Sequence, residues 1–146
     1  MTALTLAQAS IIVDEALRHG RARKMKPLTI AVLDAGGHMV AFKREDKSGI
    51  LRREIAEGKA WGVLGMGYGG REFARRNAIR PTFYTALAVA SQGRVMPVIG
   101  GVLIRNAAGD IIGAVGVSGD TEDNDDACAI AGIVAASLQA DNGEPT

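Results

Sequence analysis

Residues 100–127 read GGVLIRNAAGDIIGAVGVSGDTEDNDDA, and the fold turns on how that stretch divides. Val102, Leu103 and Ile104 form a β-rich run, and Ala107-Ala108-Gly109-Asp110 is turn chemistry. Ile111 to Val117 then returns as a second strand. Its apolar residues are successive instead of alternate, which predicts burial on both faces. Gly113 and Gly116 interrupt the run and mark a bulge, or a place where another backbone or a ligand comes close. Ser118-Gly119-Asp120-Thr121 leads into a helix whose first turn is crowded by Glu122, Asp123, Asp125 and Asp126.

A second hairpin lies nearer the start of the chain. Leu28 to Leu33 is β-rich, Asp34-Ala35-Gly36-Gly37 is a turn, and His38 to Lys43 returns. In the return, Met39, Ala41 and Lys43 alternate against Val40 and Phe42. Before this hairpin, Leu6, Ala9, Ile12, Val13, Ala16 and Leu17 recur at helical spacing, with Thr5 or Thr2 as the cap and Pro27 as the stop. The basic tail from His19 to Lys26 suits a helix C-terminus.

Between the hairpins, a helix is expected from about Ile50 to Met66, with Leu51, Ile55, Gly62, Val63 and Met66 on its apolar stripe. At about 100° per residue, Lys59 falls in the middle of that stripe. A lysine there must snorkel, pair with a carboxylate or face a pocket. Arg71–Ala78 and Thr82–Ser91 read as short helices split by Pro81. The last helix runs from about Asn124 to Leu138, with Ala127, Ile130, Ala131, Val134 and Leu138 inward. Residues 140–146 are expected to fray. Helix, hairpin, helices, hairpin, helix is the order of a single α+β domain over residues 1–146, an antiparallel sheet with helices packed on it.

The bulk composition excludes several function classes. A net charge of +1 does not supply the basic face that nucleic-acid binding needs. No run reaches the roughly 18 apolar residues of a membrane span. No basic start followed by an apolar core marks a signal peptide, so a cytoplasmic protein is expected. The lone Cys128 forms no intrachain disulfide and reads as a buried small apolar residue. Residues 65–70, GMGYGG, lack both a preceding strand and a Gly-Lys-Ser/Thr, which rejects a phosphate loop.

The ordered motif set resembles a known family. Leu33-Asp34-Ala35-Gly36-Gly37-His38 looks like its first hairpin turn, and Arg44-Glu45-Asp46 like its charged loop. Glu54-Ile55-Ala56 with Gly58-Lys59-Ala60 looks like its helix signature. Gly100-Gly101-Val102, then residues 113–121 (GAVGVSGDT) with Asp126, Ala129 and Gly132, look like its C-terminal signature. The chain resembles the GlcG/HbpS family of haem-binding or haem-degrading domains, which includes the C-terminal domain of PduO-type proteins. The likeness covers about residues 5–138. It implies a profilin-like fold and a homo-oligomer, with haem as the ligand of some members.

Three readings of function follow. The first is a cytoplasmic small-molecule-binding protein of that type, with haem or a related tetrapyrrole as ligand. An iron ligand must then come from His19 or His38, with Met and Tyr weaker. His38 opens a strand after a Gly-Gly turn and is the candidate; Gly100, Gly101, Ser118, Gly119 and Asp120 are candidate ligand contacts. The second is a cofactor-free isomerase, tautomerase or lyase acting on a small organic acid. Arg44 and Lys59 would hold a carboxylate, Glu54, Asp120 or Asp126 would move a proton, and Gly100, Gly101 and Gly119 would offer N–H groups to an oxyanion. The third is an accessory subunit of a catabolic enzyme. The acidic stretch Asp120–Asp126 reads either as an oxygen-rich metal site or as helix capping.

Overall fold

In the computed structural model, which describes residues 3–145, five helices surround a five-stranded antiparallel sheet. The chain runs α1 (Leu6–Ala22), β1 (Thr29–Asp34), β2 (Met39–Arg44), α2 (Arg52–Met66), α3 (Gly70–Ile79), α4 (Pro81–Ala90), β3 (Gly101–Arg105), β4 (Ile111–Ser118), α5 (Glu122–Ala135) and β5 (Gln139–Asp141). The expected hairpins are β1–β2 and β3–β4. They join side by side through β1 and β4, giving the strand order β2-β1-β4-β3-β5. This is the expected α+β sheet flanked by helices. Among the described residues, no helix is long and apolar enough to cross a membrane.

The two faces of the sheet are filled differently. Ile30, Val32, Val102, Ile104, Val115 and Val117 point to one side and pack with Ile12, Val13 and Ala16 of α1 and Cys128, Ala129 and Ile133 of α5. The other side combines Leu33 and Leu103 with small residues. Ala114, Gly116 and Gly101 lie under α2, and a Cβ on Gly116 or Gly101 would run into the carbonyl oxygen of Ala56 or Lys59. Branched side chains therefore hold α1 and α5 off the sheet, while glycine lets the backbone of α2 lie against it. Phe73, Tyr84 and Val95 close the outer edge of that second core.

Three expectations need correction. Ala140 and Asp141, expected to fray, belong with Gln139 to β5, and Leu103, Ile104 and Arg105 pair with Asp141, Ala140 and Gln139. An Arg105–Asp141 ion pair, with Nε and Nη2 both on Oδ2 of the carboxylate, fixes the end of that strand. Three residues are too few to show a strand period. Thr146 lies outside the described residues. In α5 the buried positions are Asp125, Asp126, Cys128, Ala129, Gly132 and Ile133, not the face through Val134. Gly132 faces the backbone of Ile12, so close packing on α1 selects the small-residue face. In α2 the buried positions are Ala56, Gly58, Lys59, Ala60, Gly62 and Val63, so Gly62 and Val63 lie inward as expected, while Ile55 and Met66 are half-buried and Leu51 is exposed.

Thr5 caps α1 in a reciprocal capping box with Gln8; Thr2, the other candidate, lies outside the described residues. Pro81 occupies the first turn of α4, where its missing N–H costs nothing. Gly65 sits within α2 with open space where a Cβ would go. Gly65→Ala is expected to raise stability by about 0.5–1 kcal/mol, because alanine has the better helix propensity. Urea denaturation of the two proteins measures it.

Candidate functional site

Lys59 is the centre of the most buried polar cluster. Its side chain leaves α2 beside Gly100 and is only 3% exposed. Nζ donates to the carbonyl of Val117 at 2.8 Å and to Oδ2 of Asp125 at 3.3 Å. The other carboxylate oxygen of Asp125 accepts the backbone N–H of Asp120 at 3.0 Å. Burial pushes the Lys59 amine down and the Asp125 carboxyl up, and their mutual attraction opposes both shifts. Of the three roles open to a lysine in an apolar stripe, this geometry is the carboxylate pair. Gly100, at φ +117°, is shaped by the same lysine: a Cβ there would lie 2.7 Å from Nζ.

The acidic stretch is dispersed among partners. Asp120 accepts from the N–H of Lys26 at 2.8 Å, the N–H of Thr121 at 2.8 Å and the Asn124 amide at 2.7 Å. Asp126 takes Arg71 at 3.1 Å and Asn142 at 2.9 Å, and Asp123 takes Arg71 at 2.8 Å. Thr121 caps α5 by accepting from the N–H of Asn124. Among the described residues, no three His, Cys, Asp or Glu side chains converge as a metal site. The carboxylates cap a helix and tie loops together. Cys128 is buried with its thiol pushed up to about 12, chiefly by desolvation.

Asp120 also sets an acid limit on stability. The hydrogen bond from Lys26 N–H leads the interactions that hold its carboxyl down at about 2. A depressed folded value means the stabilisation is complete above about pH 4, where the unfolded chain is also ionised, and fades as pH falls toward 2. Asp120→Ala is expected to cost about 1–2 kcal/mol at pH 7. Thermal melts of both proteins should converge as the pH approaches 2.

The remaining candidates lie in separate places. Arg44 donates to the Ser48 carbonyl at 2.7 Å and lines an open cavity with Arg21, Pro27, Glu45 and Asp46. Glu54 lines another cavity with Glu57, Trp61 and Arg94. Ser118 is buried and accepts from Arg52 at 3.1 Å. Gly119, at φ +150°, lies against the backbone of Pro27 and Leu28, and Gly101 against Lys59. Close packing thus accounts for the glycines proposed as N–H donors. The structure does not gather Arg44, Lys59, Glu54 and Asp126 around one cavity.

His38 borders a cavity of a different kind. Leu4, Ala35, Ile111 and Ile112 give that cavity, about 420 Å³, a mainly apolar lining, with Asp34 and His38 on its rim. Oδ1 of Asp34 accepts the N–H of Gly36 at 2.9 Å and the N–H of His38 at 3.0 Å, which closes the hairpin turn. Burial opposes the Asp34 charge, but these hydrogen bonds outweigh it and hold the carboxyl below its usual range. The same carboxylate meets Nδ1 of the His38 ring at 3.1 Å. Nε2 of that ring has no hydrogen-bond partner among the described residues, and the side chain is 80% exposed. Asp34 is legible in the sequence as a turn residue; its second role is carried by the pattern of an aspartate four residues before a histidine across a Gly-Gly turn.

A family model described as haem degrading protein HbpS-like matches residues 4–134. The chain belongs to the HbpS-like family. It is 32% identical over 101 residues to a 15.0 kDa protein from the dhaT–dhaS intergenic region of Citrobacter freundii, covering 68% of each chain. The fold is similar to the crystal structure of HbpS, with TM-score 0.78, 26% identity and coverage of 92% of this chain and 90% of that one. It is also similar to Klebsiella pneumoniae protein ORFY, at 0.82 and 26%, covering 94% and 93%. A PduOC:haem complex shares the fold at TM-score 0.84 and 24% identity, covering 94% and 98%. Family membership supports haem or small-molecule binding at the level of the family.

Proposed function

We propose that this chain binds haem, or a related flat tetrapyrrole, over the apolar cavity beside His38, as part of a homo-oligomer. The observation that carries the reading is the His38 ring: Asp34 engages Nδ1, and Nε2 has no partner among the described residues, on an exposed side chain bordering an apolar cavity. A carboxylate on one ring nitrogen fixes the tautomer and the ring's orientation and leaves the other nitrogen to a ligand, the usual arrangement for a histidine that holds a metal. Leu4, Ile111 and Ile112 would lie against the macrocycle, and the cavity is open enough for a flat ligand to rest on it with one edge in solvent. Bound haem would supply an iron that the His38 imidazole would hold. The exposed apolar side chains on several elements, Leu6, Ile50, Leu51 and Val89 among them, support assembly with further copies.

Haemin titration followed by absorbance tests the proposal, with wild type beside His38→Ala and Asp34→Asn. The wild type is expected to give a saturable Soret shift at one haem per subunit. His38→Ala should lose that shift, and Asp34→Asn should weaken binding by about 10–100-fold. An unsaturable shift indifferent to His38 would refute the proposal and leave only apolar adsorption.

A further inference from the structure

Two loops meet at the end of the sheet opposite His38, which precedes β2 while Arg44 closes it. One is residues 23–28 (RKMKPL), after α1, and the other is residues 45–51 (EDKSGIL), after β2. Glu45 joins them. Its Oε1 accepts the N–H of Leu28 at 2.8 Å, and its own N–H donates to the Leu28 carbonyl at 2.9 Å. Oε2 takes Nε of Arg21 at 2.8 Å, and Nη2 of Arg21 donates to the carbonyls of Met25 and Lys26. Between the loops lies an open cavity of about 390 Å³, lined by Arg21, Pro27, Arg44, Glu45 and Asp46.

The chain as a whole is nearly neutral, but this end is not. Six cations, Arg21, Arg23, Lys24, Lys26, Arg44 and Lys47, stand against three acids, Glu45, Asp46 and Asp120. Glu45 is taken up by Arg21, and Asp120 by backbone and amide N–H groups. Arg23, Lys24, Lys26, Arg44 and Lys47 enter no ion pair among the described residues. Like charges gathered on adjoining loops repel one another, and a bound anion removes that cost.

Two of these lysines also sit in a backbone conformation that favours glycine. Lys24 follows the end of α1 at φ +54°, in the turn closed by the N–H of Met25 on the Gly20 carbonyl. Lys47 lies at φ +70°, in the turn closed by the N–H of Ser48 on the Glu45 carbonyl. Glycine fits both places with less strain. Both lysines are exposed, so packing does not account for a lysine at either one.

We propose that this cleft binds a small polyanion carrying two or more phosphate groups. Arg44 has Nη1 anchored on the Ser48 carbonyl at 2.7 Å, which leaves the rest of its guanidinium fork for phosphate oxygens. Lys24, Lys26 and Lys47 add point charges around it, and the excess of three cations over acids suits a di- or triphosphate. The site does not depend on the haem reading, because His38 lies at the other end of β2.

Calorimetric titration with inorganic tripolyphosphate at low salt tests it, using wild type beside Lys24→Gly combined with Lys47→Gly, and citrate as a second titrant. The double variant should melt at or above the wild-type temperature, because glycine relieves both turns, so weaker binding in it is not unfolding. Its affinity for tripolyphosphate is expected to fall about tenfold, and wild-type affinity should fall by a similar factor between about 50 and 200 mM salt. A wild type that takes up no tripolyphosphate, or a double variant that binds it as tightly, would overturn the site. Citrate bound as tightly as tripolyphosphate would overturn the choice of phosphate.

Discussion

Lys59→Ala is expected to lower the unfolding free energy by about 3–5 kcal/mol, measured by urea denaturation at pH 7. The loss comes from what the substitution leaves behind. Asp125 would remain buried with no cation, and the Val117 carbonyl would lose its donor. A charge stranded in a low-dielectric interior costs more than the pair itself contributes, because each ion was already desolvated. The double variant Lys59→Met with Asp125→Leu removes both ions and should recover much of the loss. The pH dependence has a definite sign. Asp125 has its carboxyl raised by burial, and without Lys59 the attraction that most opposes that shift is gone, leaving the Asp120 N–H to oppose it. A folded value above the unfolded one means the folded state gains as protons bind. The penalty of Lys59→Ala should therefore be largest at neutral pH and shrink toward about pH 4. A variant as stable as wild type would show that Lys59 faces a ligand and holds no pair together.

The sequence marked Lys59 as out of place without choosing its role, because helical spacing puts a side chain on a face and does not say what stands opposite. The partner, Asp125, comes from the first turn of α5, 66 residues away, and only the sheet brings the two together. The hairpins were legible for a different reason: turn chemistry and apolar runs are local, and both pairs formed as expected. β5 was not legible, since its existence depends on a free edge of β3 and on Arg105 meeting Asp141. The candidate site divides the same way. His38 after Gly36-Gly37 was readable, while its orientation by Asp34 follows from the hairpin closing. Arg44 and Glu54 were grouped with Lys59 by residue type, and the fold places them on separate surfaces.

Gly116→Ala is expected to abolish the folded state, the largest effect of any single methyl group considered. β4 is central in the sheet, paired with β1 on one side and β3 on the other, so it cannot shift without breaking both ladders. α2 lies across it with the Ala56 carbonyl where a Gly116 Cβ would go and the Ala60 nitrogen 3.0 Å from that point. Overpacking against a side chain typically costs about 1–3 kcal/mol because the side chain can rotate away. Here the obstacle is backbone on both sides. Relief would require α2 to lift from the sheet, and that would pull Lys59 from Asp125 and open the packing of Ala60 and Val63 on Leu103 and Ala114. Two cooperative losses would then follow from one added carbon. Circular dichroism and a thermal melt decide the matter. A cooperative Gly116→Ala melt close to that of wild type would show that α2 rides higher on the sheet than this geometry allows, and the account of how Lys59 is buried would fall with it.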